Sequence, residues 1–203
     1  MISRRSVLLA IAATIAGSAP AVARKSKKTF ILDPLYQPQQ VPFPSAFSAG
    51  TIIVDTANRF LYLVETDSVA RRYGIGVGKA GLAWSGTAEI GRKAEWPAWK
   101  PTKKMIRRNP RKYLRYANGL RGGGNNPLGS RALYLYRNGQ DTFYRIHGTT
   151  EPWTIGRAVS NGCIRMVNEQ IEDLYSRTAI GAKVVVLLLQ ARSQLRSRQM
   201  ADS

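Results

Sequence analysis

The chain has 203 residues, with 31 Lys and Arg against 12 Asp and Glu, a formal net charge of +19, one histidine and one cysteine. One cysteine excludes an internal disulfide, and one histidine with one cysteine is too few for a soft metal centre, so neither metal nor cofactor is expected. The charge implies an anionic partner or surface, but no helix-turn-helix, zinc-finger or RNA-binding sheet pattern accompanies it, and nucleic acid is not the expected partner.

Residues 1–23 read as a signal peptide. Arg4 and Arg5 form a basic start, an apolar run follows from Val7 to Ala16, and Ala21-Val22-Ala23 is a small-x-small cleavage site. The paired arginines also resemble a twin-arginine signal. Export to the periplasm is the expectation, with no stable membrane anchor after cleavage. Residues 24–45 read as a basic, proline-rich linker, extended or poorly ordered, through Lys27, Lys28, Pro34, Pro38, Pro42 and Pro44.

Strand signals dominate residues 46–190. Thr51–Thr56 and Phe60–Glu65 are β-branched and aromatic runs joined at Ala57-Asn58-Arg59, which predicts a hairpin. Val69–Val77 and Gly86–Arg92 are further strands. Gly74 to Lys79 looks like a phosphate loop, but Tyr73 and Ala80 stand where the pattern requires glycine and Ser or Thr. Lys93–Ser130 is a long irregular insertion carrying Trp96, Trp99, a basic stretch and a glycine run, which fits either a lid over a groove or a surface excursion. Ala132–Tyr136 and Thr142–Ile146 form a second hairpin about Asn138-Gly139. Asn168 is placed to cap a short helix with Ile171, Leu174 and Tyr175 on one face, stopped by Gly181. Val184–Leu189 is a buried strand, and 191–203 is a polar tail.

The chemistry concentrates in one stretch. His147-Gly148-Thr149 ends a strand-like run, and Ser160-Asn161-Gly162-Cys163-Ile164-Arg165-Met166 follows after a short connector. Taken alone, a single cysteine is most often a small buried hydrophobe and a single histidine a satisfied core or surface residue. Together they match a thiol and the base that activates it for attack on a carbonyl. Gly162 permits a sharp turn, and the amides of Gly162 and Cys163 are candidate oxyanion donors.

The stretch His147–Met166 resembles the L,D-transpeptidase (YkuD or ErfK) family, whose signature is His-Gly, a spacer, then Ser/Thr-His-Gly-Cys followed by Ile-Arg-Met. Gly50-Thr51-Ile52-Ile53-Val54, Trp96-Pro97-Ala98-Trp99, Asn126-Pro127-Leu128-Gly129 and Asp173-Leu174-Tyr175 extend the likeness. Asn161 departs from it, standing where many members carry a second histidine. The resemblance implies a mainly β fold, a YkuD-like β-sandwich of mixed sheets with one or two short helices and a long lid-like insertion. It implies Cys163 as nucleophile and His147 as base. Gly148, Ser160, Asn161 and Gly162 serve positioning or oxyanion roles, and Arg165 and Thr149 bind substrate. The substrates implied are peptidoglycan stem peptides, with a second stem, water, a D-amino acid or an outer-membrane protein as acyl acceptor, and Cys163 is a target for carbapenems. The residues alone leave two alternatives: a basic wall-binding module without turnover, and another cysteine carboxypeptidase or amidase.

Overall fold

The structure is a computed structural model that describes residues 30–187. The signal peptide, the first part of the linker, residues 188 and 189 of the last predicted strand, and the polar tail lie outside the described residues.

Among the described residues, eleven strands and three short α-helices follow in order: β1 (Gln39–Pro42), β2 (Ile52–Asp55), β3 (Phe60–Val64), β4 (Val69–Gly74), β5 (Val77–Gly78), β6 (Gly86–Glu95), α1 (Lys103–Arg108), α2 (Pro110–Tyr113), β7 (Arg131–Arg137), β8 (Gln140–His147), β9 (Ala158–Ser160), β10 (Ile164–Arg165), α3 (Asn168–Arg177) and β11 (Lys183–Leu187). Nine strands form one mixed sheet in the order β1-β4-β3-β2-β11-β6-β7-β8-β10, and β5 pairs with β9 in a second. The pairs β11–β2, β10–β8 and β5–β9 are parallel; the other six are antiparallel.

The large sheet is doubled over rather than flat. Helix α3 packs on β7, while its Asp173 accepts a 2.6 Å hydrogen bond from the Tyr73 hydroxyl on β4. These strands are five places apart in the order. At about 4.8 Å per strand a flat sheet would separate them by about 24 Å, twice the width of a helix. The two ends also meet: Gly76, just beyond β4, exchanges backbone hydrogen bonds of 2.9 and 2.8 Å with Arg165 of β10. The result is a mainly β, sandwich-like fold around one core, in which Ile52, Val54, Leu61, Tyr73, Leu133, Leu135, Val184 and Val186 from the strands meet Ile171 and Leu174 of α3.

Both predicted hairpins form. Asn138 and Gly139 take φ of 51° and 72°, the left-handed pair that a two-residue turn matching strand twist requires. The expected 69–77 strand splits into β4 and β5, and β6 runs on to Glu95, inside the segment read as irregular. The segment read as linker supplies β1, which pairs with β4. Asn168 does not cap α3. Val167 holds that position without a side-chain bond, and the helix ends at Arg177, before Gly181.

Candidate active site

Pairing of β8 and β10 brings the two halves of the motif together. His147 is the last residue of β8, and the parallel register sets Arg165 directly beside it and Ile164 beside Ile146. Alternation then sends Ile146, Ile164 and Met166 into the core, where all are buried, and leaves His147, Arg165 and Cys163 on the opposite face. Cys163 lies two residues before Arg165. Strand spacing of about 4.8 Å and rise of about 3.3 Å per residue set its backbone roughly 8 Å from that of His147. Both residues line a cleft of about 930 Å³.

His147 is buried, and its Nδ1 lies 2.6 Å from the Gly148 carbonyl oxygen. A carbonyl only accepts, so Nδ1 carries the proton and Nε2 keeps the free lone pair. Burial lowers the imidazole pKa to about 3, with Arg165 and Arg145 adding to the drop and the Gly148 carbonyl opposing it. Burial also pushes the Cys163 thiol up, against the backbone at Arg145 and the guanidiniums of Arg145 and Arg165. The resting pair is therefore a neutral thiol and a neutral base. The thiol Sγ lies 3.9 Å from the Phe143 carbonyl oxygen. Phe143 itself is exposed at a φ of 63°, a left-handed conformation that bulky side chains rarely adopt.

The turn that carries Cys163 is tightly braced. Ser160 Oγ donates to the Cys163 carbonyl at 2.6 Å and accepts from the Gly162 amide at 3.1 Å. Gly162 has φ of 126°, and a Cβ there would stand 2.7 Å from both Leu82 O and Tyr144 Cε1. The Gly162 amide, expected as an oxyanion donor, bonds Ser160 Oγ in this structure. Asn161 bonds Tyr113 and Arg108 in the insertion.

The two residues expected to bind substrate are placed differently. Thr149 is buried, its Oγ1 accepts from the Glu151 amide at 3.0 Å, and it does not line the cleft. Arg165 does line it, but its Nη1 is held at 2.7 Å by Glu151 Oε2.

Sequence reasoning missed several contributors. Arg145 shares the face of His147 by simple alternation, which a reading by twos along β8 could have found; Asp141 holds its guanidinium with two bonds of 2.7 and 2.8 Å. Asn168 Oδ1 accepts from the amides of Ser130 and Thr149, each at 3.2 Å, and so clamps the segments on either side of Gly148. A Cβ on Gly129 or Gly148 would come within 2.3 Å of that oxygen, which explains both glycines. No local signal marks Glu151 or Tyr113.

The insertion walls the cleft. Lys103, Lys104 and Arg108 of α1, Lys112 and Tyr113 of α2, and Arg115 line it together with Cys163 and His147. Among the described residues no group of three or more His, Cys, Asp or Glu is placed to hold a metal ion.

Comparison with known proteins agrees with this architecture. The family model described as the L,D-transpeptidase catalytic domain matches residues 49–186. The Escherichia coli K12 proteins named probable L,D-transpeptidase ErfK/SrfK and YbiS are 34% and 32% identical over 155 and 151 residues, 74% and 72% of this chain and 47% of each of theirs. The chain thus spans about half the length of these curated relatives. A solved chain from Brucella melitensis, described as a probable carnitine operon oxidoreductase, is 56% identical, with 77% of this chain and 96% of that one covered, at a TM-score of 0.54. That description is of the Brucella protein; the match over 49–186 places this chain in the L,D-transpeptidase catalytic domain family.

Proposed function

We propose that the protein is a periplasmic L,D-transpeptidase that acts on peptidoglycan stem peptides. The observation that carries the reading is the Nδ1–Gly148 bond of His147, which leaves Nε2 unprotonated on a residue that lines the same cleft as Cys163. Nε2 takes the thiol proton as Sγ adds to the carbonyl of the third, diamino-acid residue of a tetrapeptide stem. The Cys163 amide supports the oxyanion, a role worth about 3–4 kcal/mol per donor in enzymes where it has been removed. The imidazolium forms beside Arg145 and Arg165, which disfavour it, so the proton passes readily to the departing D-alanine amine. A thioester on Cys163 remains. An acceptor amine attacks it, loses its proton to His147 and restores the thiol; no ATP is needed, because one amide replaces another.

The cleft suits such a substrate. Six cationic residues line it against one carboxylate, Glu151, and stem peptides carry several carboxylates. Acceptor choice sets the product. A second stem gives a 3–3 cross-link, an outer-membrane protein amine gives anchoring, and water gives carboxypeptidase activity. The apolar leader supports export.

The test is incubation of the purified protein with a disaccharide-tetrapeptide muropeptide, read by mass spectrometry beside Cys163→Ala. Tri-tetra dimers or loss of D-alanine in the parent alone are the expected result. Unchanged muropeptide with folded, reduced protein overturns the proposal. The same preparation exposed to a carbapenem should gain the drug's mass on Cys163.

A further inference from the structure

The insertion is a built wall rather than a slack loop. Thr102 caps α1 through a 3.2 Å bond from the Met105 amide. Asn109 ends α1 and caps α2, accepting from the Lys112 amide at 3.1 Å. Trp99 packs on Tyr113 and Tyr116, with ring centroids 6.3 and 5.6 Å away. Its base is joined to the sheet by the Trp96 amide, which donates to the Ser130 carbonyl at 2.7 Å.

The far side of the wall meets the nucleophile turn at Asn161. Its Nδ2 donates to the Tyr113 hydroxyl at 2.8 Å, and its Oδ1 accepts from Arg108 Nη1 at 3.3 Å. A guanidinium can only donate, which fixes the amide with its oxygen toward Arg108 and its nitrogen toward Tyr113. Asn161 is exposed and lies two residues before Cys163, so neither packing nor the turn's own geometry demands an asparagine there. One side chain thereby ties both α1 and α2 to the turn that carries the thiol, and all four residues line the same cleft.

We propose that Asn161 is a positioning residue that latches the insertion wall to the nucleophile turn and sets the cleft for substrate, without acting on the thiol itself. The kinetic part of this inference rests on the transpeptidase reading; the structural part does not. The Tyr113 hydroxyl is the main partner and Arg108 the second.

The experiment compares the full chain with Asn161→Ala, Tyr113→Phe, the double variant and Asn161→Asp. Amide hydrogen exchange over residues 103–116 reads the wall directly. Exchange there should rise in Asn161→Ala and, to a lesser degree, in Tyr113→Phe. The double variant should be no worse than Asn161→Ala, because both remove the same bond. Asn161→Asp should keep the wall protected, since a carboxylate accepts from Arg108 and the tyrosine hydroxyl can donate as well as accept. With muropeptide, KM should rise roughly 3- to 10-fold in Asn161→Ala, the range for one net hydrogen bond, with kcat within about twofold. Alkylation of Cys163 by iodoacetamide should keep its rate. Unchanged exchange in Asn161→Ala overturns the latch. So does a loss confined to kcat and alkylation, which would place Asn161 on the thiol. If the parent turns over no muropeptide, the transpeptidase reading fails, and exchange alone decides the latch.

Discussion

His147 is the only histidine in the chain, so stability between pH 7 and 5 reports on it with little interference. Its folded pKa is about 3, against about 6.5 when unfolded. Below pH 6.5 the unfolded chain takes up a proton that the folded protein refuses. Stability therefore falls as pH falls, by about 1.4 kcal/mol per unit, until the folded group itself titrates near 3. Glu65 and Asp173 have lowered pKa values and add to the loss only at the acid end, below about pH 4. Urea unfolding at pH 7, 6 and 5 should show this slope, and His147→Gln should flatten it. A parent slope near zero would mean that the imidazole is not held neutral by burial. The same depression predicts that the acid limb of kcat/KM lies well below 6.5. At this scale the sequence was legible for the pair itself, since two unique residues in one motif need no fold to be noticed. It was silent about Asn168, whose place before an amphipathic run suggested a cap. In the fold its oxygen joins two backbone segments that lie 38 and 19 residues away in the chain, and no local pattern encodes that choice.

Elements whose bonds are local were read well, and those made by distant pairing were not. The Asn138-Gly139 turn and the 3.6-residue period of α3 are properties of a few neighbouring residues. The parallel β8–β10 pairing, which assembles the site, has only two residues of register and joins chain that has passed through Pro152–Thr154 and β9 on the way. Likewise α1 and α2 are six and four residues long, too short for periodicity to announce them; they exist through caps and through Trp99. The helix that was legible is also the one that carries the core. Ile171 and Leu174 are fully buried in the core shared with the strands. Leu174→Ala should cost about 2–5 kcal/mol by removing buried carbons and leaving a cavity. The measure is the shift of the denaturation midpoint at unchanged m-value. A cost below about 1 kcal/mol would mean that α3 is not the element that closes the sheet around its core.

At the scale of the whole molecule, charge is distributed with a purpose that composition alone could not locate. Residues 96–130 hold Lys100, Lys103, Lys104, Arg107, Arg108, Arg111, Lys112, Arg115 and Arg121 and no acidic residue. The ion pairs of the described structure lie elsewhere, on the sheet and α3, so this basic excess is uncompensated. The fold then turns one side of that segment into the wall of the cleft. A net charge of +19 signalled an anionic partner, but only the fold shows that part of this charge lines the same cleft as the thiol. Cations spread over an open cleft act through solvent, and screening shortens their reach from about 10 Å at 0.1 M salt to about 3 Å at 1 M. KM for an anionic muropeptide should therefore climb roughly 3- to 10-fold between 0.05 and 0.5 M NaCl, while kcat, set in the proposed mechanism by His147 and Cys163, moves far less. Replacing Lys104, Lys112 and Arg115 with glutamate should raise KM at low salt and reverse the slope, because the wall would then repel what it had attracted. Initial rates across the salt series decide it: a KM indifferent to salt would show that the basic wall takes no part in holding substrate.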